Sequence, residues 1–209
     1  MTDTLPIVDM GAAIGAHPAR DRVGATLVAA LESVGFAYVT GHGVPQSTID
    51  AAFAASRAFH ALPLERKMAI HQNAFHRGYM PLSSSTIVTS SVARVTRPNQ
   101  SESFMLMHEV APDDPSYGQP LQGPNQWPAG LDGFEPAVRA YEHALRETAD
   151  RLVRCIAVGL GLDSGFFDDA FARPTTFVRM LHYPPRPQDA PDDLYGSAPH
   201  TDYGFLTLV

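Results

Sequence analysis

Residues 134–160 carry the most regular hydrophobic pattern in the chain, and this pattern limits the possible folds most strongly. Apolar side chains recur at helical spacing from Val138 through Leu145 to Leu160. Acid–base pairs four residues apart occupy the other side, where they stabilise a solvent-facing helix surface. The pattern predicts one long amphipathic helix that ends at Gly161. Because such a helix must cover its apolar side, we expect a globular domain packed along it.

The composition predicts a globular protein and excludes several function classes. Of the 209 residues, 44% are hydrophobic and 18% are charged, which is the balance of a chain with a buried core. A formal net charge of −7 argues against a broad nucleic-acid-binding surface. The single cysteine, Cys155, excludes an intrachain disulfide and a cysteine-based zinc site. Because the sequence shows neither a membrane-length apolar run nor a secretion signal, we expect a cytoplasmic protein with no nucleic-acid or membrane partner.

The patterns on either side of the long helix predict a mixed α+β fold. Residues 72–130 contain few periodic runs and are rich in Pro, Ser, Gly and Asn, so we expect ordered loops with short extended pieces at 78–82 and 102–108. In the second helix, Ile49, Phe53 and Ser56 are expected along one side. The predicted elements are helices over 18–34, from about residue 47 and from Pro63, and strands over 5–8, 36–40, 175–183 and 200–209.

A His-x-Asp tripeptide stands at the start of the last predicted strand. Side chains two residues apart on a strand project to the same face, so His200 and Asp202 are expected to point together. One imidazole and one carboxylate on a shared face are two of the three ligands in the facial triad that binds non-haem Fe(II). The tripeptide alone is weak evidence, because matches of this length arise by chance and an exposed turn pair explains them equally well.

Further segments, in a consistent order, strengthen this signal. The His-x-Asp pair follows a strand-like segment that ends in Tyr-Pro-Pro and precedes another apolar strand-like segment. Over nearly its whole length the chain closely resembles the isopenicillin N synthase-like family of Fe(II)/2-oxoglutarate-dependent dioxygenases. The matching segments are LPIVD (5–9), GFAYVTGHGVP (35–45), RGYMPL (77–82), ESF (102–104), RMLHYPP (179–185) and HTDYGFLTL (200–208).

The resemblance implies a set of site residues. His200 and Asp202 match two of the three iron ligands of the family, and no catalytic residue beyond the metal centre is implied. Tyr183 matches a tyrosine that hydrogen-bonds the distal carboxylate of the co-substrate in many members, whereas Leu181 stands where plant members often carry Asn. Arg179 precedes Tyr183 by an even number of residues and so faces the same side of the strand. There it either contacts a substrate or carboxylate, or projects outward from an edge strand.

The resemblance also implies an activity and a domain order. The expected activity is oxidation of a small organic molecule with Fe(II), 2-oxoglutarate and O2, by hydroxylation, desaturation or cyclisation, with release of succinate and CO2. The expected fold places amino-terminal helices and short strands on a jelly-roll core. The expected regions are an amino-terminal non-haem dioxygenase region over 1–130, a long packing helix with its connection over 131–174, and the start of the jelly roll over 175–209.

The end of the chain leaves alternatives open. The family's third iron ligand and its Arg-x-Ser motif for 2-oxoglutarate match nothing up to Val209, so we expect an amino-terminal portion of a longer enzyme, with an incomplete jelly roll and no activity alone. A second interpretation is an Fe(II)-dependent oxidase of the same family that uses no 2-oxoglutarate. A third is a fragment that is catalytically incompetent. The oligomeric state is left open.

Overall fold

The structure is a computed structural model that describes residues 4–14, 17–88, 90 and 95–209. Its helices and short strands confirm the predicted α+β mixture. No helix among these described residues is long and apolar enough to cross a membrane. The elements are strands β1 (Ile7–Asp9), β2 (Tyr38–Thr40), β3 (Gly78–Met80), β4 (Glu102–Met107) and β5 (Phe177–His182), helices α1 (His17–Ser33), α2 (Gln46–His60), α3 (Leu64–Met68), α4 (Phe134–Gly159) and α5 (Asp168–Phe171), and a 3-10 turn at Gly11–Ile14.

The chain divides into two compact units, and the first contains residues up to 49, 140–174 and 208–209. In this unit β1 and β2 form a parallel pair, with Val8 opposite Val39. Helix α1 lies directly on the later part of α4. A Cβ atom added at Gly24 would stand 2.3 Å from the carbonyl oxygen of Cys155, so a glycine is required for this close approach.

The second unit contains residues 50–139 and 175–207 and holds a three-stranded antiparallel sheet in the order β3-β4-β5. One face of the sheet packs into an aromatic cluster. The rings of Phe59 and Phe104 lie 5.3 Å apart, and those of Phe104 and Phe134 lie 5.0 Å apart in an edge-to-face arrangement. Phe134 starts α4, so the beginning of the long helix belongs to this core. The cluster contains Ala55, Phe59, Tyr79, Phe104, Leu106, Phe134, Val138 and Met180.

The side of α2 that packs is the one with Ala52, Ala55 and Phe59, whereas Phe53 is 58% exposed. One sequence-based expectation about these elements is wrong. Residues 200–209, expected to form a strand, are paired with no other segment by a β-ladder among the described residues. Alternating side chains and β-branched residues favour extension, but a strand also needs a hydrogen-bonded neighbour.

Candidate metal and co-substrate site

His200 and Asp202 meet in the structure. Nε2 of His200 lies 3.1 Å from Oδ1 of Asp202, and the two side chains are 36% and 50% exposed. The pair therefore shares one side, as the His-x-Asp spacing predicts, although the segment is not a strand. A local contact produces this geometry instead: Nδ1 of His200 lies 2.7 Å from the carbonyl oxygen of Ala198.

The contact with Ala198 determines which ring nitrogen of His200 carries a proton. A carbonyl oxygen only accepts hydrogen bonds, so Nδ1 of His200 must be the donor. In a neutral imidazole this leaves a lone pair on Nε2, which points at the carboxylate of Asp202. A cation between the two groups would accept the lone pair of Nε2 and the charge of the carboxylate together. Metal-binding histidines commonly donate their second N–H to a carbonyl in this way.

The donor set of this pair fits a ferrous ion. Imidazole nitrogen and carboxylate oxygen are two of the ligand types in the 2-His-1-carboxylate triad of non-haem Fe(II) enzymes. Two ligands at adjacent corners of an octahedron, each about 2.1 Å from the ion, lie about 3 Å apart. The separation of 3.1 Å between His200 and Asp202 matches that value. Within the described part of the chain, no group of three His, Cys, Asp or Glu side chains is close enough to hold a metal.

Arg179 and Tyr183 lie on the sheet face opposite the aromatic cluster. Arg179 is paired with Met105 across β4 and β5, and its Nε donates a hydrogen bond of 3.0 Å to Oγ of Ser103. Burial lowers the pKa of Arg179, an effect that the nearby Tyr183 partly offsets. Tyr183 follows the end of β5, is 47% exposed, and packs its ring against Gly196. The strand is an edge strand, as one sequence-based alternative supposed, but Arg179 is anchored rather than free.

The structure brings the four sequence-predicted residues together as two pairs. His200 contacts Asp202, whereas Arg179 and Tyr183 lie on one face of the sheet, within and just after the end of β5. No hydrogen bond or ion pair joins one pair to the other among the residues that the structure describes. Both pairs lie at the ends of the loop 184–199, because Tyr183 precedes it and His200 follows it.

A buried polar cluster lies on the same face of the sheet as the aromatic cluster, away from Arg179 and Tyr183. The sequence analysis did not predict it. Glu102 heads β4 and is 8% exposed. One of its oxygens accepts hydrogen bonds from Nζ of Lys67, at 2.7 Å, and from the hydroxyl of Tyr79; the other lies 2.8 Å from Nδ1 of His182. Burial by itself raises the pKa of Glu102, but the hydrogen bonds from these three partners outweigh it and lower that pKa to about 2.

A signal for this cluster is visible in the sequence. Glu102 begins a strand whose remaining residues are apolar apart from Ser103, and a carboxylate that is buried with such a strand needs partners. The three partners lie 23, 35 and 80 residues away along the chain, so no local pattern identifies them. His182 points away from Tyr183, as the alternation of side chains along β5 predicts, and its contact with Glu102 is the reason that it is held there.

Comparison with known proteins identifies the family to which this chain is similar. Residues 5–130 match the family model described as non-haem dioxygenase in morphine synthesis N-terminal. The chain is 36% identical over 183 residues to the 2-oxoglutarate-Fe(II) type oxidoreductase hxnY of Emericella nidulans. This match covers 84% of this chain and 51% of the relative. It is 29% identical over 219 residues to the 2-oxoglutarate-dependent dioxygenase eupC of Phoma sp. This match covers 98% of this chain and 68% of the relative. The chain thus spans about half the length of hxnY.

Solved structures show the same relationship. A 2OG-Fe(II) oxygenase family protein from Caulobacter crescentus superimposes with a TM-score of 0.76 and 26% identity, over 90% of this chain and 59% of that protein. A full-length protein of Neurospora crassa, solved in complex with alpha-KG, superimposes with a TM-score of 0.69 and 25% identity, over 88% of this chain and 56% of that protein.

Proposed function

Because the chain belongs to the isopenicillin N synthase-like family of Fe(II)/2-oxoglutarate-dependent oxygenases, as the match of residues 5–130 and its relatives show, we propose that the protein oxidises a small organic molecule with Fe(II), 2-oxoglutarate and O2. Succinate and CO2 are the products formed from the co-substrate. The observation that carries this proposal is the pairing of His200 with Asp202, whose Nε2 and Oδ1 atoms lie 3.1 Å apart with the other ring nitrogen bound to a carbonyl.

The residues of this chain have separate roles in the proposed reaction. His200 and Asp202 would hold Fe(II) from one side, and the hydrogen bond from Nδ1 of His200 to the Ala198 carbonyl would leave Nε2 available as the ligand. Bound Fe(II) supplies the activation of O2 and of the keto acid, which amino-acid side chains cannot provide. The protein contributes the position of the ion and the orientation of the molecules around it.

Tyr183 and Arg179 are proposed to bind the co-substrate. Both lie on the sheet face opposite the aromatic cluster, near the beginning of the loop that leads to His200. The guanidinium of Arg179 is already oriented by Ser103, and a charged donor held in place loses little entropy when it binds a carboxylate. Met105, which is paired with Arg179, and Leu181, two residues further along β5, lie on the same face, so the surface offers an apolar area beside a cation. A small organic substrate whose C–H bonds are oxidised in an apolar part of the molecule would fit such a surface.

The proposed architecture follows the family. The sheet β3-β4-β5 would form part of a jelly-roll core whose inner side carries Arg179 and Tyr183. Residues 1–130 would be the amino-terminal dioxygenase region, 131–174 the long packing helix with its connection, and 175–209 the beginning of the jelly roll. The superposition with the Caulobacter crescentus protein, at a TM-score of 0.76, supports this architecture.

A direct assay tests the proposed activity. The protein expressed from its complete gene, supplied anaerobically with Fe(II) and 2-oxoglutarate and then exposed to O2, is expected to form succinate. A chelator is expected to stop this formation, and Fe(II) to restore it, because the ion is bound reversibly by side chains. Succinate and O2 consumption are measured together. Consumption of O2 with a reductant, but without succinate, would contradict the proposal and favour the oxidase that needs no 2-oxoglutarate.

Replacement of Tyr183 tests the co-substrate site. Tyr183→Phe is expected to raise the KM for 2-oxoglutarate about tenfold or more, because a hydrogen bond to a charged group contributes roughly 1.5–3 kcal/mol. The measurement is succinate formation as a function of 2-oxoglutarate concentration. Tyr38→Phe is the matched control, since Tyr38 is 62% exposed on β2 and is expected to leave this KM unchanged. An unchanged KM in Tyr183→Phe would remove Tyr183 from the site.

A further inference from the structure

Residues 97–100, just before β4, run along residues 193–198 of the loop that leads to His200. Three contacts connect the two segments. Nε of Arg97 lies 2.9 Å from Oδ2 of Asp193, the backbone N–H of Gln100 donates a bond of 2.8 Å to the carbonyl of Tyr195, and Asn99 binds the backbone of Ala198. The segment 97–100 therefore holds the second half of the loop, from Asp193 to Ala198, in place.

Asn99 makes the innermost of these contacts. Oδ1 of Asn99 accepts a hydrogen bond of 3.0 Å from the backbone N–H of Ala198, and these residues are 5% and 1% exposed. The carbonyl of the same Ala198 accepts the hydrogen bond from Nδ1 of His200. Asn99 itself is held by its backbone N–H, which donates a bond of 2.8 Å to the carbonyl of Ser85. The amide of Asn99 and the ring of His200 are thus joined through a single buried residue.

We propose that Asn99 is a positioning residue for His200: by holding Ala198, it keeps the Ala198 carbonyl aimed at Nδ1 and thereby presents Nε2 of His200 as a metal ligand. The inference rests on the proposed function, since it concerns the same iron site. It assigns Asn99 a role that its position in the sequence does not suggest, because Asn99 and Ala198 are 99 positions away from each other along the chain.

The three contacts of the brace are not equivalent. Arg97 and Asp193 are about half exposed, and ion pairs of this kind contribute little in water. The bond between Asn99 and Ala198 is shielded from solvent, so its loss leaves a buried N–H without a partner. Ala198 joins the peptide that carries this N–H to the peptide that carries the carbonyl. Without the bond to Asn99, the backbone at Ala198 is less constrained, and its carbonyl holds the ring of His200 less firmly. The contact at risk is the one between Ala198 and His200, and loss of the hydrogen bond between a ligating histidine and its outer partner typically lowers metal affinity 10–100-fold.

The experiment measures Co²⁺ binding by the protein expressed from its complete gene, without turnover. Co²⁺ replaces Fe(II) as a stable probe with a visible absorption spectrum. Asn99→Ala is compared with Asn99→Asp, whose carboxylate oxygen can still accept the N–H of Ala198. Asn125→Ala is the matched control, because Asn125 also hydrogen-bonds backbone groups in this unit, those of Met107 on β4. Urea unfolding of each variant gives the folded fraction, and binding is measured where all are folded.

The expected result is a 10–100-fold weaker affinity for Co²⁺ in Asn99→Ala, recovery to within a few-fold of wild type in Asn99→Asp, and unchanged affinity in Asn125→Ala. NMR of the ¹⁵N-labelled imidazole is expected to show the Nδ1–H form of His200 in the wild type and a mixture of tautomers in Asn99→Ala. Wild-type affinity in Asn99→Ala, or an equal loss in Asn125→Ala, would overturn the inference. If the wild type itself binds no Co²⁺, the proposed iron site fails, and the inference about Asn99 fails with it.

Discussion

His200→Ala and Asp202→Ala are each expected to lower 2-oxoglutarate-dependent succinate formation by about 10³-fold or more, or about 4 kcal/mol in activation free energy. Each variant removes one of the two ligands that this chain offers, which meet at 3.1 Å. A metal held by fewer ligands binds weakly and without a defined open side. The loss should therefore appear in Co²⁺ binding as well as in turnover, while the unfolding free energy changes little, because both side chains are partly exposed.

A second His–carboxylate pair in the chain provides the control. His143 and Glu147 lie one turn apart on α4, with 3.5 Å between Nε2 and Oε1 and with side chains 73% and 58% exposed. His143→Ala removes an imidazole from a similar pair and is expected to leave both succinate formation and Co²⁺ affinity unchanged. Asp202→Glu, which shifts the carboxylate by one methylene, is expected to fall between wild type and Asp202→Ala. Normal turnover in His200→Ala would show that the iron is held elsewhere.

Local patterns predicted most of the elements but not how the last segment is built. The stripe of residues 134–160 became α4, and the apolar runs at 102–108 and 175–183 became β4 and β5. Residues 200–209 have the same kind of apolar alternation, yet they form no strand, because a strand is defined by a neighbour that a sequence pattern does not contain. The contact between His200 and Asp202 could nevertheless be expected, since it depends on residues only two positions apart.

The supports of the site could not be predicted, because they join distant parts of the chain. Asn99 resembles any loop residue between Pro98 and Gln100, and its bond to Ala198 exists only in the folded chain. Arg179 could be assigned to the face of Tyr183 from spacing alone, but its anchor, Ser103, comes from the neighbouring strand. Spacing determines the face on which a side chain lies, whereas its hydrogen-bond partner depends on which strands pair and in which register.

Lys67→Met is expected to lower the free energy of unfolding by about 3–5 kcal/mol at neutral pH, because it leaves the buried carboxylate of Glu102 without its cation. The side chains of Lys67 and Glu102 are only 9% and 10% exposed, and Nζ lies 2.7 Å from Oε2. Trp127 packs on Phe104 in the same unit, with ring centroids 5.8 Å apart. Its fluorescence during urea unfolding therefore reports the stability of this unit directly.

The pH dependence of the unfolding free energy shows whether Lys67→Met destabilises the unit by removing the ion pair with Glu102 or by removing packing. The pKa of Glu102 is lowered from its usual 4.5 to about 2, so the stability that the charged form contributes is present above pH 4.5 and disappears as the pH falls toward 2. In Lys67→Met the cation that lowers this pKa is gone, and burial raises it. The difference in unfolding free energy between wild type and Lys67→Met is therefore expected to narrow as the pH falls from about 7 to about 3.

A second variant identifies the charge of Glu102 as the cause. Glu102→Gln added to Lys67→Met removes the unpaired charge but keeps an oxygen that accepts the hydrogen bond from Tyr79. This double variant is expected to recover at least half of the lost stability at neutral pH and to show little further change on acidification. A difference that stays constant with pH, with no recovery in the double variant, would mean that Lys67 stabilises the unit by packing over the ring of Tyr79, 5.2 Å from its centroid, and not by pairing with Glu102.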